Sequence, residues 1–318
     1  MRGSIHYQTI SLFKEIDQIG ESRYQLKSEA REEGFKGSSE LASQIGITSY
    51  NTASTYIPIW ENLGNYAKEE FKVKNFEKLT PEIVEAFLRD KAEGDCSWSS
   101  LTIAASACQK LSVALNQHSE NFAEKFGREV KTYDWNGVVK TVRDEYRDIL
   151  ERNTESRRYA DPKALIEAIG DPKFQLAAEI QLESGVRITE MSLIKEGQLR
   201  GEAIDKHTDK EIAQFAFQGK GGYKNVGNLT RETYEKLEAY IKEQGEFKVD
   251  QNEYRDALKT AANLSEQAYN GSHGLRWDFT ASRVLELQEA GMKYEAALSA
   301  VSKELSHHRI SITRYYLR

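Results

Sequence analysis

The fold class of this chain is indicated by one segment, Ala213-Gln214-Phe215-Ala216-Phe217-Gln218-Gly219-Lys220-Gly221-Gly222, together with residues 223–229 that follow it. Ala213, Phe215 and Phe217 alternate with Gln214, Ala216 and Gln218, which is the period-two pattern of a strand with one buried face. The glycine-rich stretch then supplies the backbone freedom of a tight turn, and the chain returns as a second strand. The sequence therefore predicts an antiparallel β-hairpin here.

Helical patterns surround this hairpin on both sides. Helices are predicted over residues 162–169 and 174–183 before it, and from about residue 231 to the end after it, including residues 275–290 and 294–305. A small antiparallel sheet beside a mostly helical body is an α+β domain. The second half of the chain is therefore predicted to fold as one.

The first half has the pattern of a helical bundle from Ser38 to about Phe126. Thr80-Pro81-Glu82 is a strong start signal, since Thr80 can cap a helix whose first residue is the proline. A further helix after Ser97 carries small residues that permit close packing, Ala104, Ala105 and Cys108. The predicted fold is thus mainly α, and a helical interaction module is the alternative interpretation of this half.

Three segments are predicted along the chain. Residues 1–37 contain one amphipathic helix, with Ile10, Phe13, Ile16 and Ile19 at helical spacing, and are interpreted as a docking helix or an arm. Residues 38–155 form the helical domain with its linker, and residues 156–318 form the α+β domain. The pair Arg157-Arg158 near the boundary could contact a phosphate backbone or belong to a solvated linker.

Composition excludes several classes. The 318 residues are 39% hydrophobic and 30% charged, which is ordinary for a globular protein. The chain has no disulfide framework, since Cys96 and Cys108 are its only cysteines, and it shows neither a signal-peptide pattern nor an apolar run of about 18 residues, so we expect a cytoplasmic protein without a membrane partner. The net charge of −6 argues against a nucleic-acid partner unless Lys and Arg cluster on one face.

Residues suited to phosphate chemistry recur through the second half: Arg187 after Gly185, Lys220 at the hairpin tip, His273 and Arg276 three apart on one helix face, then His307 and Tyr316. Each has an ordinary structural explanation. Arg187 could pair with Glu190, the lysine turn could be only a turn, His273 could cap a helix, and His307-His308 could be exposed polar residues. We expect no metal and no cofactor, because no His or Cys pair has the ligand spacing of a structural zinc site and the full nucleotide-binding glycine pattern is absent from the sequence.

Taken together and in order, these residues resemble the tyrosine recombinase, or phage integrase, family. Its arginine motif Gly-x-Arg-x-x-Glu is similar to residues 185–190, and its hairpin lysine to Gly219-Lys220-Gly221. Its His-x-Leu-Arg motif is similar to residues 273–276, and its final Leu-Gly-His motif with a following tyrosine to residues 305–307 and Tyr316. The helical pattern before them resembles the family's core-binding domain.

The chain departs from the family pattern at two positions, where Ser306 replaces glycine and Trp277 replaces histidine. The family spacing of nine from histidine to nucleophile favours Tyr316 over Tyr315, and adjacent helical residues point about 100° apart, so both cannot face one phosphate. Family members continue beyond this tyrosine. We therefore expect either a shortened chain or a subunit link through the helix near residues 10–19, and a terminal helix ordered only by DNA or a neighbouring subunit.

The resemblance implies a site-specific recombinase that cuts and rejoins duplex DNA through a 3′-phosphotyrosine, without metal or ATP. It implies Arg187, Lys220, His273, Arg276, His307 and Tyr316 as the catalytic set, with Glu190 orienting Arg187. Its implied partners are DNA with inverted-repeat core sites and three further copies in a tetramer on two sites, with an accessory protein left open. The predicted role is integration or excision of a mobile element; the alternatives are Xer-type chromosome dimer resolution, a DNA-relaxing topoisomerase and a non-catalytic DNA-binding regulator.

Overall fold

The computed structural model describes residues 1–94, 96–152, 154–219, 222, 224–307 and 309–318. The chain divides into two compact units, Met1–Asn153 and Thr154–Arg318. This division falls two residues before the boundary predicted at 155/156. No described helix is long and apolar enough to cross a bilayer.

The described part of the N-terminal unit is helical. Ser4, Ser22, Ser49 and Ser97 each accept a backbone N–H in the first turn of a helix, which satisfies a donor that has no partner within the helix. Thr80 occupies the N-cap position before Pro81, although its side chain makes no capping hydrogen bond. The helices are α1 (Ile5–Glu15), α2 (Arg23–Glu32), α3 (Ser38–Gln44), α4 (Tyr50–Glu70), α5 (Pro81–Glu93), α6 (Trp98–Phe126) and α7 (Asn136–Tyr146).

Helix α1 belongs to the core of this unit and is not an arm. Leu12 is fully buried and Ile16 is nearly so, both in the same apolar cluster as Trp60 and Leu63 of α4. Gly64 of α4 admits the close approach, because a Cβ there would lie 2.7 Å from Ile5. The apolar face of α1 is thus used within its own unit, and a link between subunits through this helix stays a prediction.

The C-terminal unit combines helices with two small antiparallel sheets. Its helices are α8 (Pro162–Glu167), α9 (Pro172–Ser184), α10 (Ile188–Met191), α11 (Arg231–Gln244), α12 (Gln251–Leu264), α13 (Ser272–Glu289), α14 (Tyr294–Glu304) and α15 (Ile310–Tyr315). Its strands are β1 (Leu193–Lys195), β2 (Leu199–Ile204), β3 (Glu211–Gln218), β4 (Lys224–Leu229) and β5 (Glu246–Lys248). The order is β2-β3-β4 in one sheet and β1-β5 in the other.

The predicted hairpin is confirmed as β3 and β4. Phe215 pairs with Gly227, and Gln218 pairs with Lys224 at the closed end. A Cβ on Gly227 would lie 2.5 Å from the Phe215 ring, so only glycine leaves room for that ring across the strands. The mainly α fold with an α+β domain and a small antiparallel sheet is therefore confirmed, and β1, β2 and β5 are additions to it.

Helices α13, α14 and α15 build the apolar cluster nearest the chain terminus. It contains Trp277, Phe279 and Leu287 of α13, Leu298 and Val301 of α14, and Leu305 and Tyr316 beyond them. Helix α13 also packs against α9, which is followed by Gly185. This packing brings the sequence motifs around residues 185, 276 and 307 to one side of α13.

Candidate active site

Arg276 lies at the centre of the site, on α13, with 1% of its side chain exposed. Its Nη1 donates to the carbonyl oxygen of Gly185, and its Nη2 donates to that of Leu305 at 2.7 Å. Nη2 also lies 2.9 Å from Nε2 of His307. A guanidinium can only donate, so the imidazole nitrogen accepts this bond. One side chain therefore forms hydrogen bonds both to the residue that follows α9 and to the turn after α14.

The pKa of Arg276 is lowered to about 10, first by burial and then by the nearby charge of Arg187. The side chain remains protonated at neutral pH. Its Nε atom is buried and has no hydrogen-bond partner among the described residues. A phosphoryl oxygen would be a suitable acceptor for this N–H donor.

Arg187 is placed by the loop that follows α9. Gly185 adopts a φ of +65°, and a Cβ on it would lie 2.2 Å from the ring of Phe279, so this position requires glycine. The backbone N–H of Arg187 donates to Glu190 Oε2 at 2.7 Å, and its Nη1 donates to Oε1 at 2.5 Å. The ordinary ion pair considered from sequence is thus present, and it fixes the direction of the guanidinium.

His273 and Tyr316 meet in the structure. Nε2 of His273 lies 2.9 Å from the phenolic oxygen of Tyr316. The pKa of His273 is lowered to about 4, first by burial and then by the charges of Arg276, Arg157 and Arg187. The imidazole is therefore neutral at pH 7, which leaves a nitrogen lone pair able to accept the phenolic proton.

The two terminal tyrosines have different surroundings. Tyr316 is 6% exposed, and its ring packs against those of Trp277, His307 and His273 at centroid distances of 5.2, 5.2 and 5.6 Å. Tyr315 contacts the Trp277 ring at 5.2 Å and lies under the guanidinium of Arg318. Trp277, which replaces the usual histidine, is the surface on which both tyrosines pack. Helix α15 is thus packed within its own unit, and the expectation that DNA or a neighbouring subunit orders it stays a prediction.

The turn before His307 ends α14 in a Schellman motif. The N–H of His307 bonds to Ser302 O, and the N–H of Ser306 bonds to Lys303 O, each at 2.9 Å. Ser306 has a φ of +54°, which is the left-handed conformation that glycine adopts most readily. The serine therefore keeps the backbone shape of a glycine turn, and this departure from the family pattern leaves the turn intact.

The segment that leads into this unit is hydrogen-bonded to α13, a contact that the sequence did not predict. Asp278 accepts the N–H of Tyr159 at 3.1 Å and Nε of Arg158 at 3.3 Å. Burial raises the pKa of Asp278 to about 6, against the lowering effect of these donors. A Cβ on Gly274 would lie 2.6 Å from the Tyr159 ring. Arg158 is thus held by a carboxylate rather than being only a solvated linker residue.

Five of the residues predicted for the site, Arg187, His273, Arg276, His307 and Tyr316, come together in one place. Lys220 and His308 lie outside the described residues. In the described ranges, no group of three or more His, Cys, Asp or Glu side chains could hold a metal ion. The arrangement offers a phenol, a neutral base beside it and guanidinium donors, which together suit nucleophilic attack on a phosphodiester.

No family model and no curated protein matches the sequence. Solved structures do match the fold along nearly its whole length. The XerH site-specific recombinase bound to palindromic difH substrate, a post-cleavage complex, has 14% identity and a TM-score of 0.61, and the match covers 99% of this chain and 93% of that one. Its pre-cleavage complex has 15% identity and a TM-score of 0.59, covering 100% and 95%.

The Tn1549 transposon integrase in complex with transposon right end DNA has 15% identity and a TM-score of 0.50, with 94% and 95% of the two chains covered. The chain therefore has the tyrosine recombinase fold, in agreement with its mainly helical structure and small antiparallel sheet.

Proposed function

We propose that this protein is a site-specific DNA recombinase that cuts and rejoins duplex DNA, with Tyr316 as its nucleophile. The observation that carries the proposal is the 2.9 Å contact between the Tyr316 hydroxyl and Nε2 of His273, beside Arg276 and His307. The fold, which matches that of site-specific recombinases, supports it. A tyrosine among cations without a neighbouring base would support attack on phosphorus far less well.

The proposed reaction begins when Tyr316 attacks the scissile phosphorus and loses its proton to His273. The bond to the 5′-oxygen breaks, which leaves a 3′-phosphotyrosine and a 5′-hydroxyl after that oxygen takes up a proton. The diester bond is exchanged and not hydrolysed, so a second 5′-hydroxyl can reverse the step and join another strand.

The cations have separate proposed roles. Arg187 and Arg276 would donate to the nonbridging oxygens, whose charge grows in the transition state. His307 would also donate to a phosphoryl oxygen, which requires it to exchange the contact in which its Nε2 now accepts from Arg276. Lys220 would protonate the departing 5′-oxygen, and Glu190 would hold Arg187 in place.

The proposed substrate is double-stranded DNA with inverted-repeat core sites, bound by the helical N-terminal unit as well as the catalytic one. Phosphate contacts should dominate affinity, so binding should fall steeply with salt despite the net charge of −6. Strand exchange would take place in a tetramer on two sites. Within this function we propose integration or excision of a mobile element, with Xer-type dimer resolution as the alternative; paired inverted repeats in the DNA flanking the gene would decide between them.

A nicked suicide substrate, which traps the covalent intermediate by releasing a short strand, tests the proposal. The unaltered protein and Tyr315→Phe should form a protein–DNA adduct, and Tyr316→Phe should form none. The two variants are a matched pair, since each removes one hydroxyl from neighbouring residues of α15 and its end. An adduct that persists in Tyr316→Phe and disappears in Tyr315→Phe would assign the reaction to the other tyrosine. DNA binding without any adduct would instead favour the non-catalytic regulator.

A further inference from the structure

Asn225, on strand β4, contacts the turn that precedes His307. Its Nδ2 lies 2.9 Å from Ser306 Oγ, 2.9 Å from Glu304 O and 3.0 Å from Lys303 O. Carbonyl oxygens only accept, so it is the nitrogen of this amide, not its oxygen, that must face them. A single side chain of the sheet therefore satisfies the last carbonyls of α14 and the hydroxyl of Ser306.

Ser306 is an unusual residue for its conformation. At a φ of +54° it occupies the position after a helix where glycine is preferred, and a serine there carries backbone strain. Glycine would relieve that strain but would have no hydroxyl for Asn225 to reach. The contact with Asn225 thus gives the serine a role that glycine could not fill.

The other arm of the hairpin lies against the same turn. A Cβ on Gly219, the residue after β3, would come 3.2 Å from Oγ of Ser306 and 3.3 Å from its Cβ. Gly219 and Asn225 therefore flank Ser306 from the two ends of the β3–β4 connection. Lys220, the proposed general acid, belongs to that connection in sequence.

We propose that Asn225 and Ser306 are positioning residues that fasten the β3–β4 hairpin to the turn carrying His307. Their hydrogen bond sets the hairpin against the segment that leads to Tyr316, so that the general acid and the nucleophile act on one phosphate. This inference rests on the proposed recombinase function. The competing explanation is that Asn225 only caps α14 and contributes to stability alone.

Asn225→Asp separates the two explanations, because it keeps the size of the side chain and replaces the donor with a carboxylate oxygen facing the carbonyl oxygens of Lys303 and Glu304, which can only accept. The matched control is Asn228→Asp, an identical change on the same strand, where Oδ1 accepts from Gln214 at 2.9 Å and the carboxylate can still accept. Both variants are compared with the parent at saturating DNA, on two suicide substrates. One has the natural scissile oxygen, and the other has a 5′-bridging sulfur, a leaving group that needs no proton.

On the oxygen substrate we expect Asn225→Asp to cleave at least about tenfold more slowly than the parent, which corresponds to about 1.4 kcal/mol in the barrier. On the sulfur substrate we expect it to recover to within about threefold, because the displaced hairpin is no longer needed to deliver a proton. Asn228→Asp should match the parent on both. The inference would be overturned if Asn225→Asp cleaved the oxygen substrate at the parental rate, or if its cleavage rate fell equally on both substrates.

Two substitutions at Ser306 give a second measurement that does not depend on a destabilising carboxylate. Ser306→Ala keeps the strained backbone and removes the hydroxyl, whereas Ser306→Gly removes both. We expect Ser306→Gly to have a higher Tm than Ser306→Ala. Both variants should nevertheless cleave the oxygen substrate more slowly by the same factor, and both should recover on the sulfur substrate. Parental cleavage by Ser306→Gly would show that the hydroxyl is not needed. A parent protein that forms no adduct at all would overturn the proposed function itself.

Discussion

The two arginines of the site are held by different kinds of partner. Arg187 is 24% exposed and faces the carboxylate of Glu190 at 2.5 Å, so its charge is paired directly with a carboxylate. Arg276 is 1% exposed, is held by the carbonyl oxygens of Gly185 and Leu305, and has its nearest carboxylate oxygen, from Glu190, at 3.8 Å. Carbonyls orient a guanidinium without cancelling its charge. Arg276 thus keeps a positive charge in a buried site of low dielectric, where a bound anion can neutralise it. Arg187, in contrast, is oriented by the carboxylate of Glu190, a charge that the protein itself supplies.

The largest effect should come from Arg276→Lys. A single ammonium cannot donate to Gly185, Leu305 and His307 in the geometry of the planar fork, so we expect cleavage of the suicide substrate to fall by about a thousandfold. Arg283→Lys is the control, a like change of a buried arginine on the same helix, which pairs with Asp205, Glu286 and Glu304. Its cleavage rate per folded molecule should stay within about threefold of the parent. Equal losses in the two variants would contradict a special role for Arg276.

The carbonyl that anchors Arg276 depends on Gly185, which gives the next prediction. Gly185→Ala should lower the free energy of unfolding by about 2–4 kcal/mol, because it combines a left-handed backbone with a clash against Phe279. Urea denaturation of the whole protein measures this. Gly197→Ala is the control, since a Cβ there meets no atom within 4 Å. A loss below about 0.5 kcal/mol at Gly185 would mean that the loop adapts.

For Arg187, the arginine paired with Glu190, Glu190→Gln is the informative change. Glutamine can still accept the N–H of Arg187, but it no longer carries the charge that holds the guanidinium. Hydrogen bonds to charged groups contribute about 1.5–3 kcal/mol, so we expect cleavage to slow by about tenfold or somewhat more. Single-turnover cleavage at saturating DNA measures it. A loss as large as that of Arg276→Lys would erase the distinction between the two arginines.

The parts of this site that sequence could predict are those with a local pattern. The alternation of Ala213, Phe215 and Phe217 identified the hairpin, and the ordered motifs identified the residues that meet around Arg276. Strand β2 was not predicted from the sequence because it buries no side chain completely and has a register shift between Leu199 and Gly201.

The contacts of Asn225 and Asp278 were not predicted from the sequence for another reason. Their partners lie far away in the chain, Ser306 at 81 positions from Asn225 and Tyr159 at 119 from Asp278, and no local spacing encodes such a contact. The packing of α1 was missed likewise, since an amphipathic face shows that a partner exists but not which one. The functional roles of the site residues, including Lys220, stay predictions until cleavage is measured.

The smallest effect concerns His273, which burial and the nearby charge of Arg276 help to keep neutral. Its pKa is lowered from 6.5 to about 4 by burial and by Arg276, Arg157 and Arg187. A depressed pKa means that the unfolded chain binds the proton first, so this contribution to stability is complete above pH 6.5 and is lost as the pH falls towards 4. Between pH 7 and pH 6 the parent should lose roughly 1 kcal/mol or less relative to His273→Gln. NMR of the free protein should show no titration of the His273 ring between pH 8 and pH 5; a midpoint near 6.5 would mean that neither burial nor the neighbouring arginines lower its pKa.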